Sequence, residues 1–117
     1  MILLRATGRC GGPLLSVVWI AVSRGARRYD LVEDDYALVI ASDGVWELLS
    51  SQTVADIIAN TKGDVQDMCD TIVDQSSYMW KVEEGDYRDD ITVIVLLMPW
   101  ISETMRAEVA SATASAS

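Results

Sequence analysis

Two segments of the chain, one before and one after a central region, have the pattern of apolar and polar residues that is typical of β-strands. Residues 36–41 and 91–97 are short runs rich in apolar and β-branched residues, which predict strands. Residues 29–32 predict a further short strand, and the acidic residues 33–35 predict a polar turn that leads into the next one. Pro99 ends the last strand.

Between these two strands the apolar residues recur with helical spacing. Residues 45–49 predict a short helical turn, and residues 52–59 a helix with Ser50 or Ser51 as its N-cap. A longer helix, from Asp64 to about Trp80, carries a stripe at i, i+3 and i+4 spacing. That stripe comprises Val65, Met68, Cys69, Ile72, Val73 and Ser76. We expect residues 81–88 to form a charged loop, and the Ala/Ser/Thr-rich residues 107–117 to fray after a helical turn.

Acidic residues stand at one end of each predicted strand. Asp43 follows residues 36–41, and Asp89 and Asp90 precede residues 91–97. In an antiparallel pair, the C-terminal end of one strand lies beside the N-terminal start of the other. Asp43 and Asp89 would then meet at one edge of the sheet, where their like charges repel unless a proton, a cation or a basic partner intervenes.

A divalent cation is the simplest such partner. The chain contains no histidine, and Arg88 is the only basic residue beside either segment. This pattern indicates half of a metal site. The alternative is a solvated turn carboxylate at Asp43 and a charge at a strand start at Asp89, and the residues by themselves favour this alternative.

Composition limits the classes of protein. The 117 residues form one domain or part of one, half of them are apolar, and no apolar run is long enough to span a bilayer. The net charge is −9, and from Tyr29 onward four basic residues face eighteen acidic ones. Such a surface disfavours binding to nucleic acid. Two cysteines, Cys10 and Cys69, suggest neither a disulfide framework nor a zinc site, so a reducing compartment is expected.

Residues 1–27 differ from the rest of the chain. They contain glycines, a proline, arginines and the short apolar run 14–22, but no acidic residue. A secretory signal and a transit peptide are two interpretations. We favour a third, in which this stretch lies outside the fold. The expected localisation is cytoplasmic or nuclear, with the signal and transit peptides left open.

Two motifs, residues 38–47 (Leu-Val-Ile-Ala-Ser-Asp-Gly-Val-Trp-Glu) and residues 89–95 (Asp-Asp-Ile-Thr-Val-Ile-Val), resemble the late motifs of the metal-dependent (type 2C) serine/threonine protein phosphatases. The resemblance covers about residues 28–97. It implies an α+β fold, here a partial α/β/β/α sandwich with antiparallel strands and two packed helices. The expected organisation is an atypical segment at 1–27, the C-terminal part of the phosphatase domain at 28–98, and a tail at 99–117 that is disordered at its end.

The resemblance also implies a site. Asp43 and Asp89 correspond to two aspartates that bind a binuclear Mg²⁺ or Mn²⁺ centre in this family. Gly44 would allow close approach of the chain at that site. Asp90 stands where many members have asparagine. Gly44 and Asp90 are therefore expected to support the metal ligands from behind or through backbone groups, and not as ligands themselves. A bacterial stress-response phosphatase is a related possibility, and Trp46 favours the eukaryotic type.

The function implied is hydrolysis of phosphoserine or phosphothreonine in a phosphoprotein substrate. The early family motifs, with their histidine proton donor and phosphate-binding arginine, are absent from this chain. We therefore expect a fragment of a phosphatase that is inactive alone. The alternative is a non-catalytic, pseudophosphatase-like module that binds partners. Neither interpretation determines an oligomeric state.

Overall fold

The chain folds into an antiparallel sheet with helices packed against it. The computed structural model describes residues 1–9, 12–19 and 29–116. The strands are β1 (Ile2–Arg9), β2 (Gly12–Trp19), β3 (Asp35–Ala41) and β4 (Val93–Leu97), and the helices are α1 (Asp43–Trp46), α2 (Ser51–Asn60), α3 (Val65–Glu84) and α4 (Glu103–Ala116). No helix in the described ranges has the length and apolar character needed to cross a membrane.

Among the described residues, the sheet has four strands in the order β2-β1-β3-β4, and every neighbouring pair is antiparallel. The α+β class predicted from the sequence is confirmed. The strands predicted at residues 36–41 and 91–97 are β3 and β4, each within two residues of the predicted limits. Their register pairs Ala37 with Leu97 and Ala41 with Val93.

The first strands differ from the expectation that residues 1–27 lie outside the fold. β1 lies between β2 and β3, and the side chains of Ile2, Leu3 and Leu4 are fully buried. Such a central strand draws its stability from pairing with distant residues, which local composition does not reveal. Pro13 is tolerated because β2 is an edge strand. The interpretations of residues 20–27 fall outside the described part of the chain.

One face of the sheet forms the core with the helices. Ile2, Val39 and Val95 stand opposite one another across β1, β3 and β4, and all three belong to one buried cluster. Ile58 of α2 and Ile72 of α3 belong to the same cluster. Burial of a side chain of this size contributes about 1.5–3 kcal/mol. The core therefore fixes which residues of β3 and β4 face inward.

The other face of β3 and β4 is open. Ile40, Ile94 and Leu96 are 42%, 56% and 54% exposed, and Ile40 is paired with Ile94. Side chains alternate between the two faces of a strand, so these residues lie opposite the helix-covered core. These exposed apolar side chains form a surface that is suited to packing against another structural element or another protein.

Local capping residues set the ends of α2 and α3. Ser50 accepts a hydrogen bond from the Thr53 backbone N–H (3.1 Å), and Asp64 forms a reciprocal capping box with Asp67. The Ser50 N-cap agrees with the sequence prediction, whereas Asp64, predicted as the first residue of the helix, is its N-cap. α3 is one turn longer than predicted and ends at Gly85, whose φ of 68° lies in the left-handed region that glycine favours.

The segment before β3 is irregular, so the strand predicted at residues 29–32 is wrong. The Val32 backbone N–H donates to the Asp35 carboxylate (2.9 Å), and the Asp35 N–H donates to the Val32 carbonyl (2.9 Å). These bonds form a tight turn in place of a strand. Asp35, expected in a polar turn, is instead the first residue of β3 and is fully buried.

The C-terminal residues form α4, so the expectation that residues 107–117 fray is wrong for the described residues. Alanine is the strongest helix former, and Val109 and Ala112 are buried. Arg106 donates to the carbonyls of Thr61 (2.9 Å) and Gly63 (2.6 Å). This guanidinium ties α4 to the loop that follows α2.

A partly buried ion pair fastens β1 to the start of β3. Arg5 Nε lies 2.8 Å from Asp35 Oδ1, and the Arg5 guanidinium also donates to the Tyr29 hydroxyl. The bond to Asp35 raises the pKa of Arg5 above its usual value. Asp35 has no exposed surface, whereas Arg5 is 33% exposed. The carboxylate therefore depends on Arg5 and Val32 for its hydrogen bonds.

Replacing Arg5 by methionine should lower the free energy of unfolding by about 2–3 kcal/mol, because it leaves a buried carboxylate without its cation. The double variant R5M/D35N should lose less, since the neutral amide needs no counter-charge. Urea unfolding of the three proteins measures both differences. A value for R5M within about 0.5 kcal/mol of wild type would show that the pair does not hold the strands.

Candidate functional site

The pairing of β3 and β4 continues beyond their last ladder residues. Ala41 stands opposite Val93, and the next residue, Ser42, donates its backbone N–H to the Thr92 carbonyl (2.9 Å). The end of β3 therefore lies beside the start of β4. This is the antiparallel arrangement predicted from the sequence, and it brings the segments of Asp43 and Asp89 to the same end of the sheet.

The side chain of Ser42 fastens these two segments together. Its Oγ donates to the Asp90 carbonyl (2.7 Å) and accepts from the Thr92 backbone N–H (2.9 Å). The Ser42 hydroxyl thus satisfies one backbone carbonyl and one backbone N–H of residues 90–92, an irregular stretch before β4. Sequence reasoning missed this role, since a serine before an aspartate has no distinctive pattern.

Gly44 marks a close approach between the turn after β3 and the segment before β4. It is buried, and a Cβ at this position would overlap the backbone carbonyl of Asp90 and crowd the Ile91 side chain. The Asp90 carbonyl cannot move away without breaking the hydrogen bond that it accepts from the Ser42 hydroxyl. Only glycine fits here, for steric reasons and not for its freedom of φ.

The two candidate carboxylates differ in their surroundings. Asp43 is exposed and is the first residue of α1, whereas Asp89 is half-buried. Asp89 Oδ1 accepts from the Asp90 backbone N–H (2.8 Å), which orients that carboxylate. A cavity of about 410 Å³ opens beside Asp89 and is also lined by Val73, Ser77, Arg88, Asp90, Ile91 and Thr92.

These two carboxylates are the type of donor that a hard divalent cation takes. Mg²⁺ commonly binds one or two carboxylates and keeps several water ligands. Within residues 1–9, 12–19 and 29–116, no group of three or more His, Cys, Asp or Glu side chains is arranged to hold a metal ion. Asp43 and Asp89 thus fit as part of a site, and their role as ligands stays a prediction.

Trp80 of α3 lies against both segments. Its Nε1 donates to the Gly44 carbonyl (2.7 Å), and its ring meets that of Tyr87 edge to face with centroids 5.8 Å apart. The sequence places Trp80 one turn beyond Ser76 on the buried face of α3, which could have indicated its burial but not its partner. Trp46 is half-buried, and its indole N–H donates to the Ala41 carbonyl (3.1 Å).

Comparison with known proteins matches the part of the chain that contains Asp43 and Gly44, whereas Asp89 and Asp90 lie beyond the family match. The sequence model of the family described as Protein phosphatase 2C matches residues 26–82. A probable protein phosphatase 2C 79 from Arabidopsis thaliana is 35% identical over 83 residues, which cover 60% of this chain and 22% of that protein. A probable protein phosphatase 2C 75 from Oryza sativa subsp. japonica is 31% identical over 67 residues, covering 57% and 15%.

Sequence similarity is also found to a protein from an organism that is not a plant. A protein phosphatase 2C homolog 2 from Hypocrea jecorina (strain QM6a) is 30% identical over 71 residues, covering 58% of this chain and 16% of that protein. The chain spans less than a quarter of the length of each of these three relatives. No solved structure matches it significantly. Residues 26–82 of this chain are therefore similar to the protein phosphatase 2C family.

Proposed function

We propose that residues 28–98 are the C-terminal part of the catalytic domain of a metal-dependent protein serine/threonine phosphatase. In this proposal Asp43 and Asp89 bind a divalent cation, Mg²⁺ or Mn²⁺. The observation that carries it is the hydrogen bonding of Ser42 to Asp90 and Thr92, which holds both aspartate segments at one end of the sheet. The names of the relatives supply the reaction class.

The residues of this chain would hold and orient the cation. Asp43 and Asp89 each offer a carboxylate, and the Asp90 backbone N–H fixes the Asp89 oxygen to which it donates. Gly44 keeps the two segments in contact, because a larger residue would push them apart. When bound, such cations lower the pKa of a coordinated water and stabilise negative charge on the phosphoryl oxygens.

The substrate in this proposal is a phosphoprotein, and further groups are needed to act on it. The chain has no histidine that could donate a proton to a leaving serine or threonine. Two carboxylates also fall short of the ligand set of a binuclear centre. The remaining ligands, the proton donor and the phosphate-binding arginine would come from a part of the domain that this sequence does not contain.

The chain alone should not hydrolyse a phosphothreonine peptide above background in Mn²⁺, because it lacks that proton donor and those ligands. A steady-state phosphate-release assay, run beside a full-length phosphatase of the family, measures this. Turnover comparable to that of the intact enzyme, and abolished by D43N, would contradict the expectation.

Metal binding is testable without turnover. Substituting D43N or D89N should weaken Mn²⁺ binding by at least about tenfold, because each removes a charged oxygen ligand. Titration of the chain with Mn²⁺, followed by the electron paramagnetic resonance of the free ion, gives the dissociation constants. D86N is the matched control, since it removes the same charge from the exposed loop three residues before Asp89. Equal weakening in all three variants would mean that only general negative charge attracts the ion.

Replacing Gly44 by alanine should cost about 1–3 kcal/mol of stability and weaken Mn²⁺ binding, because the added methyl group overlaps the Asp90 carbonyl. G85A is the control. Gly85 has a positive φ but no neighbour within 4 Å of an added Cβ, so alanine there strains the backbone by about 1–3 kcal/mol without touching the candidate site. Thermal melts and Mn²⁺ titration of both variants separate the two effects. Unchanged Mn²⁺ affinity in a folded G44A protein would argue against the need for this contact.

A further inference from the structure

We propose that Trp80 is a positioning residue, which links the segment of Asp43 to the segment of Asp89 and so sets the spacing of the two carboxylates. Their role as metal ligands rests on the function proposed above. The link itself rests on contacts of Trp80 with both segments.

The first contact fixes the turn that carries Asp43. Trp80 is only 3% exposed, and its Nε1 donates to the carbonyl of Gly44, the residue after Asp43. In a longer helix the Leu48 backbone N–H would donate to that carbonyl. α1 ends at Trp46, and the Leu48 N–H is turned to the Val45 carbonyl instead (3.4 Å). The indole thus supplies the donor that the short helix lacks.

α1 is also held by its packing, since Val45 is fully buried in the core and Trp46 donates to the Ala41 carbonyl. It has four residues, and a single helical turn is unstable without tertiary contacts. Its N-cap, Ser42, makes no side-chain capping bond to the helix, since the hydroxyl is bonded to Asp90 and Thr92. The bond from Trp80 therefore secures the C-terminal side of α1, as the β3–β4 pairing secures its start.

The second contact reaches the other segment. The Trp80 ring meets the ring of Tyr87 edge to face at 5.8 Å, a favourable geometry for aromatic pairs. Tyr87 lies two residues before Asp89, in a stretch without regular structure. The Tyr87 backbone N–H also donates to the Glu84 carbonyl at the end of α3 (3.3 Å). α3 is thus the rigid element against which both candidate ligands are placed.

Trp100 provides a matched control. Its Nε1 donates to the Asp35 carbonyl (2.9 Å), so it forms the same type of bond at the opposite end of β3. Replacing either tryptophan by phenylalanine removes one indole–carbonyl bond and keeps an aromatic ring. Both W80F and W100F should lose some stability, but only W80F should alter the candidate metal edge.

Two measurements on the full chain test the link. Hydrogen–deuterium exchange, read by mass spectrometry, should become faster in W80F for peptides covering both 42–47 and 86–92, and should change in neither for W100F. Mn²⁺ affinity should fall by about tenfold in W80F, in the range typical of residues that orient a metal ligand, and should stay as in wild type for W100F. Faster exchange in only one segment, or equal effects of W80F and W100F, would overturn the proposal.

A second pair of variants covers the case in which W80F does not fold. Y87L removes the aromatic contact and keeps the bond from Trp80 to Gly44, so it should speed exchange in 86–92 and weaken Mn²⁺ binding. Y87F keeps the ring and should behave as wild type in both measurements. Identical behaviour of Y87L and Y87F would overturn the proposal. If wild type binds no Mn²⁺, the proposed metal site fails, and the exchange data alone still decide whether Trp80 links the segments.

Discussion

The structure of the candidate site depends on the contact between β3 and β4 beyond their ladder. Ser42 extends that contact by one backbone bond to Thr92 and two bonds from its hydroxyl. Each bond joins residues about fifty positions apart in the chain, so the contact exists only in the folded sheet. Because Asp43 directly follows Ser42, any loss of this pairing would separate it from Asp89.

The remainder of the fold supports β3 from both ends. At its start, Asp35 is held by Arg5 of β1 and its carbonyl by the indole of Trp100. At its far end, Trp80 holds the turn after the strand. Between them, alternate residues of β3 enter the core that the helices cover. The candidate site thus lies at the end of a well-anchored strand, which favours fixed carboxylate positions.

Features set by nearby residues were predictable, whereas most of those set by distant residues were not. Ser50 acts on a backbone group three residues away, so its capping role follows from the sequence. The position of the Asp43 and Asp89 segments at the same end of the sheet followed from the antiparallel direction of β3 and β4. The place of β1 inside the sheet was not predicted, because its pairing with β3 joins residues at least thirty positions apart, although its pairing with β2 is local. The same holds for Trp80, whose partner Gly44 lies thirty-six residues earlier.

Paramagnetic broadening of the amide resonances by substoichiometric Mn²⁺ tests the central claim most directly, because it locates the ion on the folded chain. An ion held between the two aspartate segments should broaden the Gly44 and Asp90 amides first and to a similar extent. Broadening centred on residues 83–86, or confined to one of the two segments, would contradict a shared site.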